Sequence, residues 1–284
     1  MRATLFFYGE YDEKKIRVAE WRPIASPVFP ADDRGVRLGD GAFETVRIEG
    51  GAPVYACEHV ARLRIAERLL RLPPFPFDVE KLCREACARN GAPNALARLV
   101  VTRGGGGSGY AMPSRIVARC VLTLRPLPAR KIKPWTLRVA SYRKIPPECI
   151  PTACKTLQGL SSILALNEAK RRGADESLFL TPDGCVAGCA SANIFWIKRR
   201  TLFTPSLDTG ALAGVVRARV IQTSPFPVRE GRFPLRALLT ADTAFASSSG
   251  IKIKAVRAVA PYVIFREDIG IWAENKFLRH MESG

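Results

Sequence analysis

Strand-like and helix-like segments alternate along the whole of this 284-residue chain, with no internal repeat and no low-complexity stretch. That alternation restricts the fold to layers of sheet and helix, because each element is apolar on one face and must bury it against another. The most sharply bounded helix follows Asp78. Val79, Leu82, Cys83, Ala86 and Cys87 fall at i, i+3, i+4, i+7 and i+8 and form one apolar stripe. Asp78 is placed to cap it and Asn90-Gly91 to end it. A second helix over 58–72 puts Val60, Leu63 and Leu70 on one face, and Pro73-Pro74 stops it. Further helices are predicted over about 160–172, from near Gly214 and from about Asp268. Strands are predicted at the N-terminus up to Tyr8, and over 43–48, 95–102, 116–124, 137–142, 176–180 and 194–197. The stretch 126–134 is proline-rich and basic and follows neither period, which marks a linker. The chain therefore reads as α/β (α+β) in two domains, a smaller one over 1–125 and a larger one over 135–284.

Composition narrows the function classes. No apolar run approaches the roughly 20 residues a membrane helix needs. The apolar start, Met1 to Tyr8, gives way at once to Glu10, Asp12 and Glu13, unlike a signal peptide. The 8 cysteines are scattered without a CxxC pair, and the 2 histidines, His59 and His280, lie beside no cysteine cluster. No metal site is expected, and reduced cysteines fit a cytoplasmic protein. The net charge of +18 is spread along the chain rather than blocked in a tail, and no nucleic-acid motif accompanies it. A nucleic-acid partner is not expected; anionic small molecules would be attracted.

Four segments carry candidate chemistry. Lys155-Thr-Leu-Gln-Gly-Leu places a lysine just ahead of an apolar helix, where an amine suited to imine formation can sit. In Gly184-Cys-Val-Ala-Gly-Cys-Ala-Ser-Ala-Asn193-Ile-Phe-Trp-Ile, small residues crowd a turn and then yield to a strand. In Thr204-Pro-Ser-Leu-Asp-Thr-Gly-Ala-Leu-Ala-Gly214-Val-Val-Arg217 a glycine opens a helix, whose free N–H groups can hold a phosphate. Ser247-Ser-Ser249-Gly250 offers three hydroxyls at a strand end. Each alone is an ordinary turn, cap or surface feature.

Taken in this order and spacing, together with Gly39-Asp-Gly-Ala-Phe-Glu-Thr-Val, His59-Val-Ala-Arg62-Leu and Thr102-Arg-Gly, they resemble the class-IV aminotransferases. That family includes branched-chain and D-amino-acid aminotransferases and aminodeoxychorismate lyase. The resemblance implies the two-domain fold-type IV architecture, a homodimer, and pyridoxal 5'-phosphate (PLP) in a cleft between the domains. It implies Lys155 as the Schiff-base lysine and proton shuttle, and Arg62 as a phosphate partner. Backbone N–H groups of Val215 and Val216 behind Gly214, with the hydroxyls of Ser248 and Ser249, would join Arg62 at the phosphate, and Asn193 would line the pocket. Phe43, Arg103 and Ser108 occupy positions that would face the substrate.

The same resemblance exposes departures. The family carries a glutamate against the ring nitrogen of the cofactor where this chain has Gly188. Ser108 stands where relatives often carry an arginine, and Gly159 where they often carry a tyrosine or arginine. The expected function is PLP-dependent amino-group transfer between an amino acid or amine and a 2-oxo acid. Two alternatives stand beside it: aminodeoxychorismate lyase, and a catalytically impaired relative. If Gly188 is a simple loss, Gly188→Glu should raise turnover.

Overall fold

The computed structural model describes residues 4–127 and 133–283. Most of the 126–134 linker expected from the sequence, residues 128–132, lies outside the described residues. The chain forms two compact units. The first comprises residues 1–128 with 153–158, and the second 129–152 with 159–284.

The first unit contains strands β1 (Leu5–Tyr11), β2 (Ile16–Pro23), β3 (Gly41–Glu49), β4 (Ala52–Pro53), β5 (Ala95–Thr102) and β6 (Ala118–Pro126). Its helices are α1 (Arg34–Leu38), α2 (Ala56–Leu70) and α3 (Val79–Asn90). The strands make one antiparallel sheet in the order β2-β1-β6-β5-β3-β4. The α3 stripe is buried as its spacing demands: Val79, Leu82, Cys83, Ala86 and Cys87 are its buried residues. Asp78 accepts a hydrogen bond from Lys81 N, and Gly91 closes the helix in the left-handed region. On the sheet, β3 alternates. Ala42, Glu44, Val46 and Ile48 are buried, while Phe43, Thr45, Arg47 and Glu49 are half-exposed on the other face. Val46 and Ile48 join Leu63 of α2 and Leu82 of α3 in one core. The hairpin partner β2 escaped the sequence reading because most of its side chains are exposed, which erases the two-residue apolar rhythm.

Residues 153–158 lie along the edge of this sheet. Phe43 N donates to Lys155 O (2.8 Å), Leu157 N donates to Gly41 O (3.0 Å), and Ala42 and Thr156 form an antiparallel bridge. The two-residue period carries through: Cys154 is buried against Ala42 and Ala66, and Lys155 turns to the opposite face.

The second unit contains β7 (Trp135–Arg143), α4 (Leu160–Arg171), β8 (Glu176–Leu180), β9 (Val186–Cys189), β10 (Asn193–Lys198) and β11 (Thr201–Pro205). These are followed by α5 (Val215–Gln222), β12 (Val228–Gly231), α6 (Leu235–Leu239), β13 (Thr243–Ser248), β14 (Lys252–Ala260), β15 (Val263–Ile264) and α7 (Glu267–Ser283). The nine strands form a mixed sheet in the order β12-β11-β10-β13-β14-β7-β8-β9, with β15 on β14. β14, β7 and β8 run parallel to one another, and all five residues of β8 are buried, Glu176 and Ser177 included. No helix among the described residues is long and apolar enough to cross a membrane.

Candidate functional site

Each unit brings candidate residues together in its own way. In the first, two motif residues converge on the carboxylate of a third. His59 and Arg62 lie three apart on the buried face of α2, and Glu44 reaches them from the inward face of β3. Arg62 donates from Nε to Glu44 Oε1 (2.8 Å) and from Nη2 to Oε2 (2.6 Å). His59 Nδ1 lies 2.6 Å from the same Oε2. Burial is the largest influence on the Glu44 carboxyl and would push its pKa up. The hydrogen bonds from Arg62 and His59 outweigh it and hold the group below the ordinary glutamate range. The sequence reading named Arg62 and missed that Glu44 takes this edge of its guanidinium. The signal was present in the spacing, since residues at even positions of β3 face α2.

The outward face of β3 carries Phe43. Its ring receives two cations: the Arg98 guanidinium at 4.0 Å from the centroid and the Lys155 ammonium at 4.3 Å. Arg98 reaches it because Val100 of β5 stands directly opposite Phe43, which makes Arg98 the diagonal neighbour. Burial lowers the pKa of Arg98, and the charge of Arg125 adds to the effect. Thus Lys155 is half-buried, anchored through its backbone to β3, with its amine over an aromatic face and a second cation on the same ring. Arg98 was not picked out from the sequence, where it is one of many arginines; only the register of β5 against β3 distinguishes it.

Arg103 sits differently from its expected role. It is 1% exposed, and its guanidinium donates to both oxygens of Asp40 and to the carbonyls of Leu70 and Arg71. A side chain so enclosed ties the end of α2 to the Asp40 turn, and a substrate contact does not fit it. Ser108 is exposed in the glycine-rich loop after β5. Arg34, unremarked in the sequence, organises that loop: its guanidinium donates to the carbonyls of Gly106, Gly109, Tyr110 and Ala111 and to Asp40. Burial would raise the Asp40 pKa, but hydrogen bonds from Arg103 and Arg34 prevail and lower it.

In the second unit the residues expected at a phosphate share one corner. Helix α5 begins at Gly214 without a side-chain cap, which leaves its first N–H groups to another acceptor. Asn193 of β10 packs against this turn. Its Nδ2 donates to Leu212 O (2.9 Å), and its Oδ1 lies 2.2 Å from where a Cβ on Gly214 would stand, so only glycine fits there. Ser247 of β13 lies directly opposite Asn193, fully buried, and its Oγ has no hydrogen-bond partner among the described residues. A helix N-terminus, an orphaned hydroxyl and the following Ser248 and Ser249 suit an anion that accepts hydrogen bonds.

Gly188 lies in β9 with φ of +145°, a backbone conformation that side-chain-bearing residues rarely adopt. It is buried, yet a Cβ there would meet only Ala192 O, at 3.6 Å, within 4 Å. A glutamate at this position would carry backbone strain, a cost set against whatever Gly188→Glu gains in turnover. Asp183, the nearest acid in sequence, is exposed and paired with Arg232.

The sequence model of the amino-transferase class IV family matches residues 41–259. The chain belongs to this family. Aminodeoxychorismate lyase of Bacillus subtilis (strain 168) is 33% identical over 266 residues, covering 88% of this chain and 84% of the relative. A branched-chain-amino-acid aminotransferase of Salmonella typhimurium is 29% identical over 239 residues, covering 79% of this chain and 77% of its own length. Among solved structures, the Escherichia coli branched-chain amino acid aminotransferase superposes with a TM-score of 0.82 at 25% identity, covering 93% of this chain and 89% of that one. The mixed α/β architecture with two sheets is that of the class IV enzymes, and the family is PLP-dependent.

Proposed function

We propose that this chain is a cytoplasmic PLP-dependent aminotransferase, a homodimer that moves an amino group between an amino acid or amine and a 2-oxo acid. The observation that supports it most is the setting of Lys155: a half-buried lysine in a strap that two backbone hydrogen bonds tie to β3, its amine held over Phe43. PLP, when bound, supplies an aldehyde that takes up the amino group and a ring that accepts electrons. Lys155 is the attachment point for that aldehyde, and its amine then takes and returns the proton at the substrate α-carbon. The start of α5 at Gly214, Val215 and Val216, with Ser247, Ser248 and Ser249, holds the phosphate; Asn193 keeps that turn in shape. Arg62 adds positive charge for the phosphate, with Glu44 and His59 locking its orientation. Phe43 and Arg98 orient the substrate, Arg98 as the carboxylate partner.

A second reading, aminodeoxychorismate lyase, is favoured by the 33% identity to the Bacillus subtilis enzyme. Two assays separate them. With PLP loaded, release of pyruvate from aminodeoxychorismate without an added 2-oxo acid identifies the lyase. Dependence on a 2-oxo acid, with stoichiometric transfer of the amino group, identifies the aminotransferase. Borohydride reduction and peptide mapping test the shared premise: a PLP adduct on any residue other than Lys155, or none, overturns both.

A further inference from the structure

Lys144 stands near the strand pair that carries Gly188. Lys144 follows β7, and its backbone N–H donates to Leu180 O at the end of β8. Its stem runs against the loop that leads to Gly214: a Cβ on Gly210 would stand 3.0 Å from Lys144 Cγ. Its ammonium lies 5.4 Å from the centre of the Phe179 ring, and Phe179 stands directly opposite Gly188 in the β8–β9 pairing. The next residue of β9, the fully enclosed Cys189, is close enough to influence it electrostatically. Among the described residues no carboxylate and no hydrogen-bond acceptor meets this ammonium. Burial depresses its pKa below the ordinary lysine value, only partly offset by the Cys189 thiol.

Lys144 is half-buried, and the part of its ammonium shielded from water is costly to hold without an acceptor unless a ligand supplies one. The cost is accompanied here by an opening, the buried gap that Gly188 leaves. Taken together they describe a place for a flat group that presents a lone pair to a donor. An acid at position 188 would demand the reverse, a ligand atom bearing a proton.

We infer that the Lys144 ammonium donates a hydrogen bond to the ring nitrogen of bound PLP and thereby holds that nitrogen unprotonated. This rests on the functional reading above, in which the phosphate sits at Gly214 to Val216. The proton stays on Lys144, and the ring nitrogen keeps its lone pair. An unprotonated ring withdraws electrons less strongly, so this chain performs α-proton chemistry with a weaker electron sink than a carboxylate-paired ring provides.

The test uses the full-length protein loaded with PLP labelled with 15N in the ring, read by 15N NMR at neutral pH. Borohydride trapping on a parallel sample establishes attachment at Lys155. The ring nitrogen is expected at the downfield, free-base position in the wild type and in Lys144→Arg, which keeps a donor. In Lys144→Met it is expected to move upfield on mild acidification, as water and protons gain access. A trapped adduct whose ring nitrogen resonates at the upfield, protonated position in the wild type overturns this inference alone. So does a Lys144→Met resonance that titrates like the wild type, as when the lysine meets the phenolic oxygen instead. Failure to trap any adduct overturns the functional reading and this inference with it.

Discussion

The Lys155 ammonium lies 4.3 Å from the centre of the Phe43 ring, and the Arg98 guanidinium lies 4.0 Å from the same centre. One aromatic side chain therefore positions two cations. Each such contact is worth about 0.5–2 kcal/mol, depending on desolvation. Phe43→Leu is expected to cost about 1–3 kcal/mol of stability in urea unfolding, and Phe43→Tyr, which keeps the ring face, much less.

Lys155→Ala should separate chemistry from folding. The hydrogen bonds that hold residues 155–157 to β3 belong to the backbone and survive the truncation. Unfolding free energy should change by no more than about 1 kcal/mol, in the range of partly exposed sites. The borohydride-trapped adduct and the amino-transfer activity should both vanish. Persistence of a trapped adduct would place the reactive lysine elsewhere.

The Glu44–Arg62 pair is buried on both sides, with side-chain exposures of 3% and 8%. Arg62→Ala leaves the carboxylate without its bidentate partner, which costs about 3–5 kcal/mol for a buried pair. Its pH dependence has a definite sign. Glu44 has a lowered pKa in the folded chain, so the unfolded chain takes up its proton first as pH falls. The stability it contributes is complete above the unfolded glutamate pKa, near 4.3, and is lost as pH drops through the lower folded value. Unfolding measured from pH 7 down to pH 3 should show this loss, and Glu44→Gln should flatten it.

Gly188→Ala tests backbone strain without adding charge. A residue forced into a glycine-only region costs about 1–3 kcal/mol, and the space at that position removes steric clash as the cause. Gly188→Glu should carry the same strain, relieved to the extent that the new carboxylate pairs with Lys144. The glutamate variant should therefore unfold at higher urea than the alanine variant; equal midpoints would show that Lys144 is out of reach.

Arg34→Met removes donors to four carbonyls of the loop between Gly106 and Ala111. Limited proteolysis should then cut within 104–113 several-fold faster than in the wild type, with the rest of the first unit intact.

Much of this was legible in the sequence. The α3 stripe, its Asp78 cap and the strands 95–102 and 176–180 followed from spacing, because each has one buried face or none exposed. The loops proposed to carry the chemistry were picked out as motifs. What escaped depends on pairing between distant segments. Arg98 matters through the register of β5 on β3, and Lys144 through the placement of Phe179. Neither leaves a local pattern, since an arginine or a lysine looks the same in any context. Edge strand β2 was missed because both faces meet solvent.

The strap formed by residues 153–158 also bears on how the chain acquires its shape. The edge of β3 at Gly41–Phe43 is completed by Lys155–Leu157, a segment synthesised long after the rest of that sheet. Until it arrives, the nascent first sheet presents unpaired backbone groups along that edge, a template for wrong partners. The contact is among the most non-local of the unit, so loop-closure entropy makes it a late one. On the proposed function, the Lys155 amine is positioned only once this edge is sealed, so cofactor attachment there would report that the first unit has closed.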